Sequence, residues 1–163
     1  MQSGFSLLEL LVVIAIIGIL SAIILAALNT PRNKSKDASI KADFANIRTQ
    51  AIVYYDANLG FSTGATPIPA VSTGTSAACA VANTVFADTN IAAQISGADK
   101  ASGGTGASTP TKVVCSNDIG TAPGKVTVWA IQVPLTNTTN YWCVDSVGSV
   151  RSEAVALATT YCP

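Results

Sequence analysis

The chain has 163 residues, and its apolar positions fall into two patterns that meet near Pro31. From Leu10 to Leu28 the run is interrupted only by Gly18 and Ser21. As a helix this run would be about 28 Å long at ~1.5 Å per residue, close to the hydrocarbon thickness of a bilayer. It has no polar face, which predicts a helix meant to be surrounded by apolar material. Beyond Pro31, Ile40, Phe44, Ile47, Ala51 and Tyr54 recur at intervals of three and four. That spacing places them on one stripe, and Arg32, Lys36, Asp43, Arg48 and Asp56 lie largely off it. Ser35 or Asp37 is the expected cap of this second segment, and Asn58-Leu59-Gly60 its glycine stop.

The remaining pattern is weaker. Phe61–Ala78 reads as loop, with Pro67 and Pro69 preventing regular structure. Val85–Ala101 holds a short helix, capped by Asp88 or Thr89, with Ile91, Gln94, Ile95 and Ala98 at helical spacing. Ser102–Pro110 reads as loop again. Strands are expected at Thr111–Ser116, Lys125–Val133, Tyr141–Asp145 and Val150–Ala156. Val128-Trp129-Ala130-Ile131 is apolar on both sides, as an interior strand should be. Asp145-Ser146-Val147-Gly148 supplies turn chemistry, and Leu157–Pro163 has too little pattern to fold alone. Short turns between successive strands predict an antiparallel meander packed on the Ile40–Tyr54 stripe, an α+β fold.

One acid stands at the leading edge of the apolar run. A carboxylate buried on a spanning helix costs roughly 2.5–3.5 kcal/mol on insertion scales, so Glu9 calls for a partner. No Lys or Arg occurs in Met1–Leu28. The cation left to pair with Glu9 is a chain-terminal amine, which points to another molecule.

Gly4-Phe5-Ser6-Leu7-Leu8-Glu9, running straight into that apolar span, resembles the N-terminal segment of type IV pilins and type II secretion pseudopilins. The resemblance implies a leader peptide over residues 1–4, a transmembrane and filament-core helix over 5–31, and a globular domain over 32–163. It implies that a prepilin peptidase cuts between Gly4 and Phe5, that the new Phe5 amine is methylated, and that Glu9 pairs with a neighbouring subunit's terminus. It also implies one long helix, its first half transmembrane and its second half covered by a small antiparallel sheet. The expected product is a homo-oligomeric helical filament, extruded by an assembly platform and a cytoplasmic ATPase. The precursor would sit in the cytoplasmic membrane with its C-terminal domain exported, and the assembled subunit would be extracellular. Adhesion, twitching motility and DNA uptake would belong to the fibre; the alternative is a pseudopilin in a periplasmic secretion filament. Many relatives carry a proline inside the span. Here Ala26 occupies that place and Pro31 lies beyond it, so a kink is expected near Leu28–Arg32.

Composition narrows the chemistry. Basic and acidic side chains number nine each, and no basic patch with interleaved aromatics suggests nucleic acid. A secretory signal peptide would need a basic leader and a shorter apolar region than this one. With no histidine, serine–histidine and cysteine–histidine nucleophiles are excluded, and no phosphate loop is present, so no enzyme and no cofactor are expected. Cys79, Cys115, Cys143 and Cys162 lie beyond the span and on that topology face an oxidising compartment. Four cysteines allow three connectivities. Cys79–Cys115 with Cys143–Cys162 is favoured, because each pair brackets one segment and because pilin-like domains often staple their C-terminal segment. No C-x-x-C spacing suggests zinc, and Asn117-Asp118 with Asp145 is too sparse for calcium, so no metal is expected. Asn33-Lys34-Ser35 and Asn137-Thr138-Thr139 match the glycosylation triplet, a pattern that arises readily by chance in a Thr-rich chain.

Overall fold

A computed structural model describes residue 4 and residues 6–63, 71–118 and 125–163. The leader residues Met1–Ser3, the methylation position Phe5 and the loop prolines Pro67 and Pro69 lie outside the described residues. Helix α1 spans Leu7–Ala27 and α2 spans Asn29–Asn58, together a rod of 52 residues interrupted at Leu28. The interruption falls where the kink was expected. Pro31 has no N–H to offer the carbonyl of Ala27, and its ring would clash with that carbonyl, so the first helix ends there. Helical bonding resumes one residue later, where the Arg32 amide donates to the Leu28 carbonyl at 3.2 Å.

The rest of the chain folds against α2. Strand β1 (Val71–Thr75) leads through two 3-10 turns, Ala77–Ala80 and Val85–Ala87, to α3 (Thr89–Ala101). Strands β2 (Val114–Asn117), β3 (Trp129–Pro134), β4 (Tyr141–Asp145) and β5 (Val150–Glu153) follow. They form one five-stranded antiparallel sheet in the order β1-β2-β3-β4-β5. The architecture is α+β, a long N-terminal helix with a small antiparallel sheet.

Side-chain alternation divides the sheet into two faces. Cys115, Ile131 and Val144 sit opposite one another in the ladder and point to the helices. With Trp129 and Val133 they bury Ile40, Phe44, Ile47 and Ala51 of α2 and Ile91, Ile95 and Ala98 of α3. Val114, Ala130 and Cys143 point the other way, where the C-terminal tail covers them with Leu157 and Cys162. Covered on both sides, β3 is the interior strand that its apolar middle predicts.

Four sequence expectations need correction. Val71–Thr75 was expected to be loop, yet it is an edge strand paired with β2. Its Gly74 admits the tail: a Cβ there would lie 2.9 Å from the Leu157 carbonyl oxygen, to which the Gly74 amide donates at 3.2 Å. Lys125–Val128, expected as the start of the longest strand, lies outside it. Neither Ser35 nor Asp37 caps a helix, because α2 already begins at Asn29. Finally, the stop of α2 is Leu59, which takes the left-handed conformation (φ 54°, ψ 37°) itself. Lys125 Nζ donates to the last carbonyls, Asn58 at 2.8 Å and Leu59 at 3.0 Å. Gly60 serves that contact instead, since a Cβ there would meet the Lys125 side chain at 3.0 Å.

Candidate processing and assembly segment

Among the described residues, nothing covers α1. Every described side chain from Ser6 to Arg32 is exposed, including Leu10, Ile14, Ile17 and Ile24. A fully buried side chain of this kind gains about 1.5–3 kcal/mol over an exposed one. Water is therefore the wrong surroundings for this helix. By length and composition it can cross a membrane.

The helix start is built by two residues. Ser6 is the N-cap, in extended backbone (φ −76°, ψ 146°), and its hydroxyl accepts the Glu9 amide at 3.2 Å. The Glu9 carboxylate returns to accept the Ser6 amide at 2.9 Å, which completes a capping box. The sequence reading, intent on a counter-ion for Glu9, missed this neutral donor within the same chain. The signal was present as Ser6-Leu7-Leu8-Glu9, the S-x-x-E pattern ahead of an apolar run. A backbone amide directs the carboxylate without cancelling its charge. Among the described residues no cation stands within ion-pair distance of Glu9; the pair that forms is Arg151 with Glu153. Gly4, upstream of the cap, is exposed with nothing within 4 Å of where a Cβ would sit.

Far from this segment, acids act as loop staples. Asp37 is buried on α2 and accepts the Thr136 amide at 2.7 Å, the Thr136 hydroxyl at 2.8 Å and the Asn137 amide at 3.2 Å, which ties the β3–β4 loop to the helix. Asp99, fully buried on α3, gathers the amides of Gly106, Thr111, Lys112 and Val113. Burial alone would raise its carboxyl, but the amides of Gly106, Lys112, Val113 and Thr111 outweigh burial and hold it below the usual range. Asp118 accepts the Thr127 amide and hydroxyl and the Val128 amide. Asp145 takes three amides of its own turn on one oxygen and the Cys162 amide on the other. Of the residues weighed for calcium, Asp145 thus spends its oxygens on amide N–H donors, and Asp118 spends one on amides and the other on the Thr127 hydroxyl. Asp43 is different: half-buried beside Gly97, it has its carboxyl raised by desolvation.

The structure joins Cys79 to Cys115 and Cys143 to Cys162. The first bridge ties the 3-10 turn after β1 to β2, and the second fastens the tail to β4. Gln132 strengthens that fastening: its amide donates to the Val155 carbonyl at 2.9 Å and accepts the Leu157 amide at 2.6 Å. One side chain of β3 thereby does for the tail what a neighbouring strand would.

Comparison with known proteins bears on the exposed helix alone. Residues 1–25 match the family model described as the prokaryotic N-terminal methylation motif. The chain carries a pilin-type signal. This methylation motif ends within α1, so it covers Gly4, Ser6, Glu9 and most of the apolar run, and none of the domain built on α2. It supports a precursor of the type IV pilin or pseudopilin kind, a structural subunit anchored by its N-terminal helix. No curated protein and no solved structure matches the chain.

Proposed function

We propose that this chain is a structural subunit of a type IV pilus, made as a precursor anchored in the cytoplasmic membrane and used by polymerisation. Prepilin peptidase would cut between Gly4 and Phe5, and the freed Phe5 amine would be methylated. The segment over residues 5–31 would then leave the membrane for the filament core, driven by an assembly platform and its ATPase, while residues 32–163 would form the outer layer. The observation that carries this reading is Glu9. It stands at the head of an apolar helix left exposed by its own domain, inside a methylation motif, with no cation beside it among the described residues. A neighbour's terminal ammonium would neutralise it where the dielectric is low and Coulomb attraction strong. Two disulfides in the globular domain fit export of that domain into an oxidising compartment, where covalent staples are retained.

Electron microscopy of sheared surface fibres, with peptide mass spectrometry of their subunits, tests this. The proposal expects the chain as a fibre component. Its recovery only from short periplasmic filaments beside secretion components would replace the pilus with the pseudopilin reading.

A further inference from the structure

The charged side chains that follow the apolar run are at first all of one sign. Between Glu9 and Asp37 the chain holds no acid, and the basic residues there, Arg32, Lys34 and Lys36, fall within the first turns of α2. Each of them is exposed. Among the described residues no carboxylate stands within ion-pair distance of any of them. Asp37, the next acid along the helix, is buried and turned to the β3–β4 loop, where Thr136 and Asn137 engage both its oxygens.

Their heights match a membrane surface. The 21 residues of α1 rise about 31 Å as a helix, the ~30 Å of a bilayer's hydrocarbon core. With α1 filling that core, Arg32 stands at most about 6 Å beyond Leu28, Lys34 about 9 Å and Lys36 about 12 Å. The headgroup layer is roughly 5–8 Å deep on each side, and the long stems of Lys and Arg let their charged ends reach back into it. Residues two apart lie about 200° apart around a helix, so Arg32 and Lys36 share one side and Lys34 takes the other. There Lys34 lines a cavity with Asn137 and Thr138 of the β3–β4 loop. A protein partner approaching from one side could not meet all three cations. Headgroups surround a helix where it leaves the bilayer and can meet each of them.

We propose that Arg32, Lys34 and Lys36 form a collar that binds the phosphates of anionic lipids around the exit point of α1, an inference that rests on the membrane-anchored precursor proposed above. The test uses the full-length protein in phosphatidylcholine vesicles, with spin-labelled phosphatidylglycerol or phosphatidylcholine as probe and the motionally restricted fraction of the label as readout. At low salt, phosphatidylglycerol should associate at least about five-fold more strongly than phosphatidylcholine, and added salt should erode that preference. Replacing all three cations by Gln should bring the two lipids near parity, while Arg32→Lys should keep the preference. Arg32→Gln and Lys34→Gln should each lower it, as charges on opposite sides of one helix require. Unchanged thermal unfolding of the globular domain separates loss of charge from loss of fold. Equal association of both lipids with inserted wild-type protein overturns the collar and leaves the anchored precursor standing. So does a preference that survives the triple change, above all if contact between copies weakens instead, which would give the cations to a second chain. Wild-type protein that restricts neither lipid has not inserted, and overturns both.

Discussion

The two halves of the N-terminal rod have the same secondary structure for opposite reasons. In α2, Ile40, Phe44, Ile47 and Ala51 are at most 1% exposed, held between sheet and α3. In α1, Leu7 is 82% exposed and Ile17 57%, and no described side chain is packed. The first half is rich in Ile and Val, which are modest helix formers because the branched Cβ loses rotamer freedom. Its helix must therefore be maintained by surroundings that the monomer lacks, whether lipid or other copies. Leu28 marks the division, three residues after the Ile24-Leu25 pair and three before Pro31. The α2 stripe serves folding; α1, whose described side chains bury nothing, is the half that the proposed function gives to assembly.

Substitutions in the two halves should separate those roles. The largest effect is expected at Glu9: Glu9→Gln keeps an acceptor for the capping box but loses the charge. Fibre yield should fall by at least about ten-fold, a loss of ~1.4 kcal/mol or more in assembly. Thermal unfolding of the globular domain should not move, and a normal yield of fibres would break the comparison. In the second half, Phe44→Ala should destabilise the domain by about 3–5 kcal/mol in denaturant unfolding, since it empties a fully buried ring site. Replacing Cys143 and Cys162 together by Ser should cost about 2–4 kcal/mol by the same measurement and free the tail from the sheet.

The smallest effect is local and depends on pH. Asp99 has a depressed carboxyl in the folded chain, so its contribution is present above the unfolded value of ~3.9 and is lost as pH falls through the folded value. Protection factors for amide exchange at Gly106 and Thr111–Val113, each taken against the unprotected rate at the same pH, should be high at neutral pH and fall in acid. Uniform protection down to that range would remove Asp99 as the anchor of the segment.

How much of this was legible in the sequence follows from the range of each interaction. The apolar run, the α2 stripe, the cap of α3 at Asp88 and the β4–β5 turn all depend on residues a few positions apart, and all were readable. The capping box was equally local and was overlooked because Glu9 was read for its charge. Strand β1 was hidden because Val71-Ser72-Thr73-Gly74-Thr75 has little apolar alternation, and its glycine is explained by Leu157, far along the chain. Asp37 looks like a helix cap until Thr136, 99 residues away, is folded onto it. The tail seemed patternless because its order comes from Gln132 and Cys143, on strands it follows. Short-range chemistry can be read along the chain; carboxylates and amides that bind distant backbone cannot.

The most direct test of the assembly role is the mass of the first residue in the polymerised protein. Fibres should yield an N-terminal peptide that begins at Phe5 and carries one added methyl group. A subunit found in fibres with any other first residue would leave Glu9 without the ammonium assigned to it and contradict the account.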